Sequence, residues 1–306
     1  MTLEQLRIFV AVAERQHVTR AAETLNLAQS AASAAVAALE ARHGVRLFHR
    51  VGRGIQLTEA GALFLHEARA VLARAAAAEA TLAEIAGLRR GALTVQASQT
   101  IASYWLPRYL VRYHRAYPDI EIRLTVGNTQ QVAASVHEGV AELGCVEGGV
   151  DDPLLVSTAI ARDQLVVVVG PEHPWSARAA IAPAELTASE WVLREPGSGT
   201  RSVFEAAVEK LGVARAALRV ALELPSNEAV RAAVEAGMGA TAISASVAAP
   251  SLEAGLLHQV GVRLPERDFV ALRHAERPCS PAAAALLALI GTGGGDRGGS
   301  HQQPPK

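Results

Sequence analysis

Cysteine is nearly absent: Cys145 and Cys279 are the only two in 306 residues. Two thiols so distant in sequence build no disulfide framework, and their scarcity fits a reducing, cytoplasmic setting. Neither a Cys-x-x-Cys pair nor a histidine cluster occurs, so no metal site is expected, and Cys145 reads as a buried strand residue. A Gly-x-x-x-x-Gly-Lys phosphate loop is missing. Gly197-Ser198-Gly199 lacks the Gly-x-Ser-x-Gly spacing of a nucleophile elbow. His114, His137 and Glu138 are explained by solvated helix faces. The chain is therefore read as no enzyme, with no cofactor. Aromatic residues make up only 4% against 50% hydrophobic, so the core must be built from Ala, Val and Leu. A net charge of −1 excludes polyanion binding by bulk charge. Charges interrupt every long apolar run, so no membrane span is expected. No signal peptide is expected either, because an amphipathic helix pattern starts at residue 3.

The length suggests more than one domain. The N-terminal part is locally basic, with Arg7, Arg15, Arg20, Arg42, Arg46, Arg50 and Arg53 against Glu4, Glu14, Glu23 and Glu40. Leu3, Leu6, Phe9, Val10 and Ala13 form the apolar stripe of a first helix. Residues 18–25 place Ala21, Ala22 and Leu25 on one face, with Thr19 as the expected cap. Asn26 and Leu27 make a turn. Residues 29–43 form a further helix with Ala32, Val36, Leu39 and Ala35 inward. A helix pair of this kind sets its second helix in the DNA major groove, where Gln29, Ser30 and Ser33 on the first turns reach base edges and phosphates. An ordinary Ala-rich hairpin would share this pattern, but the segment after the second helix favours DNA. Leu47-Phe48 is an apolar anchor. His49, Arg50, Arg53 and Gly54, then Ile55-Gln56-Leu57-Thr58, read as a two-stranded wing whose basic residues suit phosphate contacts.

Thr58 should cap a long helix over residues 59–88. Its seam of Phe64, Ala68, Val71, Ala75, Ala78, Leu82 and Ile85 steps by alternating fours and threes, a heptad pattern. A helix packed on its own domain is the alternative, but the length and the small residues favour a dimer seam. A hinge is expected at residues 87–91, with Arg89 and Arg90. Strand patterns at 92–97, 120–126 and 142–147 alternate with helix patterns at 100–116 and 129–138. That is a βαβαβ order and implies a parallel sheet. Strand patterns at 154–160 and 164–169 come next, the second crossing into another lobe. There, strands at 191–194, 219–224 and 240–244 alternate with helices at 200–211 and 227–236. A strand at 269–273 returns to the first lobe and a helix at 281–290 closes it. Residues 291–306, rich in Gly, Gln and Pro, are expected to be a disordered tail.

Residues 1–65 resemble the winged helix-turn-helix of LysR-type transcriptional regulators. The residues that carry the resemblance are Leu6, Phe9, Ala21-Ala22-Glu23, Leu25, Gln29, Ser33, Leu39-Glu40, Leu47-Phe48, Arg50, Leu57-Thr58 and Ala60-Gly61. The runs 106–110 and 117–124 are similar to the first lobe of the same family's effector domain. One departure is that Ala28, Ala34 and Ala35 stand where the family carries polar or basic side chains, which implies fewer base contacts. The implied fold class is α/β with an N-terminal all-α winged helix-turn-helix, and a two-lobed periplasmic-binding-protein-like effector domain joined by a long linker helix. The expected domains are 1–58 for DNA binding, 59–90 for the linker and hinge, and 91–290 for the effector. Lobe I takes 91–161 and 265–290, and lobe II takes 162–264. The resemblance further implies a homodimer, joined into a homotetramer, on double-stranded promoter DNA with pseudo-palindromic half-sites.

Ligands of open α/β sheets sit beyond the carboxyl ends of the strands. Four strand-to-helix junctions there carry small polar residues: Ser98-Gln99-Thr100, Asn128-Thr129-Gln130, Gly197 to Arg201, and Ser226-Asn227. Any one could be only an N-cap. Four facing one cleft suggest an anion site, an inorganic oxyanion or a short carboxylate. The expected contacts are Ser98, Thr100, Thr129, Ser198, Thr200, Asn227 and Arg201. A transport solute-binding protein shares the two-lobed architecture but needs no N-terminal DNA-binding domain. A regulator with an uncharged or aromatic effector is the other alternative.

Overall fold

The computed structural model describes residues 1–51, 54–85 and 91–293. They fall into two units, one N-terminal and one that begins at the first strand after the long helix. The hinge expected at residues 87–91 lies, except for Gly91, outside the described residues, as does the expected tail from residue 294 onward.

In the first unit, helix α1 (Leu3–Arg15) opens with a capping box. Thr2 Oγ1 accepts from the Gln5 amide at 3.2 Å and Gln5 Oε1 accepts from the Thr2 amide at 3.0 Å. The helix buries two faces. Ile8, Ala11 and Val12 pack on Ala21, Ala22 and Ala32, while Leu6 and Phe9 pack on Leu39, Leu47 and Ala68. The expected single stripe is therefore too narrow: α1 is surrounded by three helices, and Leu3, at its open end, stays exposed. Helix α2 (Val18–Thr24) is capped by His17, whose Nδ1 accepts from the Arg20 amide at 3.4 Å. Thr19 is inside its first turn and caps nothing. Asn26 holds the turn at φ 55°, a left-handed conformation that Asn tolerates. Helix α3 (Gln29–His43) ends on Gly44 at φ 65°, where a side chain would be strained.

Strands β1 (Phe48–Val51) and β2 (Gly54–Leu57) pair antiparallel as the wing, with Arg50 opposite Ile55. Helix α4 (Glu59–Ile85) follows, and Thr58 Oγ1 caps it by accepting from the Gly61 amide at 3.0 Å. Gly61 must be glycine: a Cβ there would lie 2.1 Å from the Leu47 carbonyl oxygen. Phe9 stacks against Phe64 and Phe48, with centroids 4.9 and 5.4 Å away.

The second unit begins with β3 (Gly91–Ser98) and a π-helical turn, Ile101–Trp105, before α5 (Pro107–Ala116). The single helix expected over 100–116 is thus broken. Pro107 cannot donate a backbone hydrogen bond, and it starts a new helix at the position proline favours. Then come β4 (Ile120–Gly127), α6 (Thr129–Glu138) and β5 (Leu143–Glu147). The two strands expected over 154–169 are one, β6 (Leu155–Val169). The chain continues through β7 (Glu190–Arg194), α7 (Gly199–Lys210), β8 (Arg219–Leu224) and α8 (Asn227–Glu235). It ends with β9 (Ala240–Ser244), α9 (Ala245–Glu253), β10 (His258–Val260), β11 (Glu266–His274) and α10 (Pro281–Gly293). Residues 291–293, expected in the tail, therefore finish a helix.

The strand order is β4-β3-β5-β11-β6-β9-β7-β8, with β10 also on β6. β6 belongs to both halves: Leu155–Gln164 pairs with β11, and Leu165–Val169 pairs with β9. Lobe I is the β4-β3-β5-β11 half and lobe II the β9-β7-β8 half. Each half-sheet is covered on both faces. Tyr109, Tyr113 and Leu286 lie over one face of lobe I and Val132 and Val136 over the other. Phe204 and Val208 cover one face of lobe II and Val230 and Val247 the other. In each lobe the parallel strands are β3, β4, β5 and β7, β8, β9 respectively. Their carboxyl ends, and the helix starts that follow, therefore share one edge.

Candidate effector cleft and DNA-binding face

At the DNA-binding face, Thr19, Gln29, Ser30 and Arg50 are exposed and Ser33 is half-buried. Gln29 Nε2 donates to Ser33 Oγ at 3.1 Å, so one helical turn links the two. Arg53 lies outside the described residues. Glu40, which is not among the expected site residues, ties α3 to the wing. Its Oε1 accepts from the Leu47 and Phe48 amides at 2.7 and 3.1 Å, and its Oε2 accepts from Arg46 Nη1 at 3.3 Å. Among the proposed seam residues, Phe64 and Ala68 pack on α1 of their own unit. Val71 and Ala78 are exposed and Ala75 is half-buried. The side chains of Leu82 and Ile85 lie outside the described residues.

In the second unit, the facing strand ends gather the expected polar residues. Ser98 ends β3, and Thr100 follows it. Thr129 starts α6, Ser198 precedes α7, Thr200 is in the first turn of α7, and Asn227 starts α8. Ser98, Thr100, Ser198, Thr200 and Asn227 are all buried, and Thr129 is half-buried. Hydrogen bonds join the lobes around them. Asn227 Nδ2 donates to Thr100 Oγ1 at 3.0 Å, and the Asn227 amide donates to Gln99 Oε1 at 2.6 Å. Gln99 Nε2 and Tyr104 OH donate to the two oxygens of Glu228, at 2.8 and 3.1 Å. Burial first, and then the Glu228 charge, push the Tyr104 phenol up. The Gln130 amide donates to the Gly197 carbonyl at 3.2 Å.

Five charged residues that were not anticipated line this edge. Arg267 Nε lies 2.7 Å from Asp163 Oδ2, and Arg267 Nη1 donates to Thr200 Oγ1 at 3.0 Å. Ser244 donates to the other Asp163 oxygen at 2.7 Å. Arg194 holds Glu195 with Nε and Nη2, at 2.8 and 3.0 Å, and donates from Nη1 to Asn227 Oδ1 at 2.7 Å. Glu147 is buried at the end of β5, with Thr129 Oγ1 3.5 Å away. A Cβ on Gly199 would fall 2.4 Å from Thr129 Oγ1 and 3.1 Å from Glu147 Oε2, so glycine lets α7 start this close. Little in the sequence marks the arginines: Arg194 stands beside Glu195 at the end of an apolar run, and Arg267 lies between Glu266 and Asp268.

Two expectations are corrected. Arg201 does not turn to the cleft. It binds Glu205 and Glu223, each at 2.7 Å, and the Arg194 carbonyl, because those acids lie within reach along α7 and β8. It lines instead a separate surface pocket of about 510 Å³ with Pro196, Glu205 and Arg215. Nor are all helix starts free: Ser226 Oγ and Gln99 occupy the first amides of α8. The start of α7 carries no side-chain cap from Ser198. Ser98 Oγ is buried with no hydrogen-bond partner among the described residues.

Residues 3–62 match the family of bacterial regulatory helix-turn-helix proteins of the lysR family, and residues 86–294 match the LysR substrate binding domain. The chain belongs to the LysR family of transcriptional regulators. Over 290 residues it is 36% identical to an "Uncharacterized HTH-type transcriptional regulator YeiE" of Escherichia coli K12, covering 94% of this chain and 96% of that one. It is 33% identical over 293 residues to a RuBisCO operon transcriptional regulator of Allochromatium vinosum, covering 95% of each. Among solved structures, full-length CbnR complexed with its target DNA is 25% identical, with a TM-score of 0.67, covering 95% of this chain and 99% of that one. This LysR-type regulator therefore pairs a DNA-binding helix-turn-helix with an effector-binding domain, and the transport reading gives way. Among the described residues no helix is long and apolar enough to cross a membrane.

Proposed function

We propose that this regulator responds to a small anion, an inorganic oxyanion or a short carboxylate, held between the lobes. The observation that carries the reading is the buried, unpartnered Ser98 Oγ, at the same strand-end edge as the buried Thr100 and Thr200 hydroxyls and the uncapped start of α7. A buried hydroxyl without a partner is costly, and an anion bound there relieves the cost. Both nearby guanidinium groups already face carboxylates, with Arg267 Nη2 making no hydrogen bond among the described residues, so the ligand meets chiefly neutral donors rather than a free cation. Such donors hold a small ion, with a helix start adding partial positive charge.

Calorimetry with sulfate, sulfite, phosphate, nitrate and acetate tests this on the wild type and on Ser98→Ala. One or more should bind, and Ser98→Ala should weaken binding roughly five- to hundredfold. If only uncharged or aromatic compounds bind, the anion reading is wrong and the regulator assignment stands.

On the DNA side, Gln29 and Ser33 meet bases or nearby phosphates, with Thr19 and Ser30 beside them, and Arg50 and Arg53 meet phosphate. Two subunits pair along α4 around Ala75 and Ala78, placing recognition helices about 34 Å apart. Effector domains join such dimers into tetramers. Sedimentation of Ala75→Trp checks the seam, and an unchanged dimer would rule it out.

A further inference from the structure

The hydrogen bonds around the cleft have a fixed direction, which selects the kind of atom the effector must present. A guanidinium group donates hydrogen bonds and accepts none. Arg194 Nη1 lies 2.7 Å from the Asn227 side chain, so the atom facing it must be the amide oxygen. The Asn227 NH2 is then forced to the other side, 3.0 Å from Thr100 Oγ1. An amide NH2 cannot accept, so Thr100 accepts and keeps its own hydrogen. The second chain runs the same way. Arg267 Nη1, 3.0 Å from Thr200 Oγ1, can only donate, so Thr200 also accepts and keeps its hydrogen. Asp163, held by Ser244, fixes Arg267 from behind. Neither threonine hydrogen meets an acceptor among the described residues, and Ser98 Oγ has no partner. Thr129 is different, because its hydroxyl donates to Glu147.

We infer that Arg194, acting through Asn227, and Arg267 are positioning residues that turn the Thr100 and Thr200 hydroxyls into obligate donors, so the cleft takes ligands that present only acceptors at these points. The inference rests on the cleft being the effector site. A sulfate, sulfite, nitrate or carboxylate oxygen is the acceptor these hydroxyls call for. An ammonium or guanidinium ion there would set hydrogen against hydrogen. The arginines act on the ligand through oriented hydroxyls, while each guanidinium stays on its own carboxylate.

Asn227→Asp is the informative substitution. The carboxylate still accepts from Arg194, but its second oxygen now accepts from Thr100 and turns that hydrogen away from the cleft. It also adds a negative charge, which a coupling measurement separates from the change of direction. Calorimetry on the full chain, with the oxyanion of the sulfate, sulfite, nitrate and acetate panel that binds best, is repeated in three backgrounds. In the wild type, Asn227→Asp should weaken binding roughly tenfold or more. In Thr100→Val, where no hydrogen remains to be turned, the same change should weaken binding far less. In Thr200→Val, its effect should equal that in the wild type. The added charge acts in all three backgrounds alike.

If Asn227→Asp weakens binding equally in all three, the residue acts by charge or packing alone. The polarity inference then falls while the anion reading stands. If guanidinium or methylammonium binds the wild type and no oxyanion does, both fall. Should Asn227→Asp not fold, Arg194→Met carries the same cycle: it frees the Asn227 amide to turn, and the positive charge it removes from Glu195 acts in all three backgrounds alike.

Discussion

The Arg267–Asp163 pair offers a sharp test of how the lobes are joined. Arg267 is on β11 and Asp163 on β6, the two strands that run side by side from one lobe to the other. Both side chains are almost wholly out of solvent, at 1% and 5% exposure, and the closest N–O distance is 2.6 Å. Removing one member of a buried pair leaves a charge with neither partner nor water, at a cost of about 3–5 kcal/mol. Asp163→Ala strands the guanidinium group, with Thr200 and the Phe269 ring it lies over left as its neighbours. At roughly 2–4 °C per kcal/mol for a domain of this size, the melting point should drop by about 6–20 °C. The double variant Asp163→Leu with Arg267→Met removes both charges and fills similar volume, and should recover most of the loss. Intrinsic tryptophan fluorescence suits the assay, since Trp105, Trp175 and Trp191 all lie in the effector unit. A double variant as unstable as Asp163→Ala would refute the electrostatic account. So would a single variant that melts within a degree or two of wild type.

Other parts of the molecule carry outcomes of their own. Gly61→Ala drives a methyl group into the Leu47 carbonyl, and should destabilise the DNA-binding unit by about 1–3 kcal/mol, read by denaturation monitored with far-UV circular dichroism. Arg50→Ala should weaken binding to all DNA sequences alike and reduce the slope of log affinity against log salt by about 1, read by fluorescence anisotropy. Burial pushes the Cys145 thiol up to about 12; partial burial and then the Glu142 charge also raise the Cys279 thiol, but that residue is exposed. One maleimide should therefore add to the native chain and a second only on unfolding, as counted by mass spectrometry.

Local periodicity made the helix-turn-helix readable, because Ala21, Ala22, Ala32 and Leu39 sit inward at helical spacing and do so in the fold. The βαβ order was readable for the same reason. The pattern could not show that β6 is one strand. Ala161, Arg162 and Asp163 interrupt the apolar run because this stretch passes from one lobe's core to the other's. Thr19 looked like a cap by residue type, but His17, one residue before the helix, does that work. The cleft hydroxyls were legible as junction residues. Their arginines were not, since a charged residue inside a strand run looks like a solvent-facing position until its partner is known, and Asp163 lies 104 residues from Arg267. Arg201 misled for the opposite reason: it stands in the right loop, but Glu205 is one helical turn away and takes it.

The two crossing strands have a topological consequence. The chain leaves lobe I along β6 and returns along β11, and Gln164 and Glu266 are register partners on neighbouring strands. Everything between them is an insert whose two ends sit side by side. Lobe I therefore holds both the first and last elements of the unit, β3 and α10, and its hydrophobic clusters are separate from those of the insert except where Tyr104 reaches across. An insert of this kind can be exchanged as one block between related chains without rerouting the host sheet. Both crossing strands are hydrogen-bonded to each other, so any movement of lobe II against lobe I must bend or twist the two together.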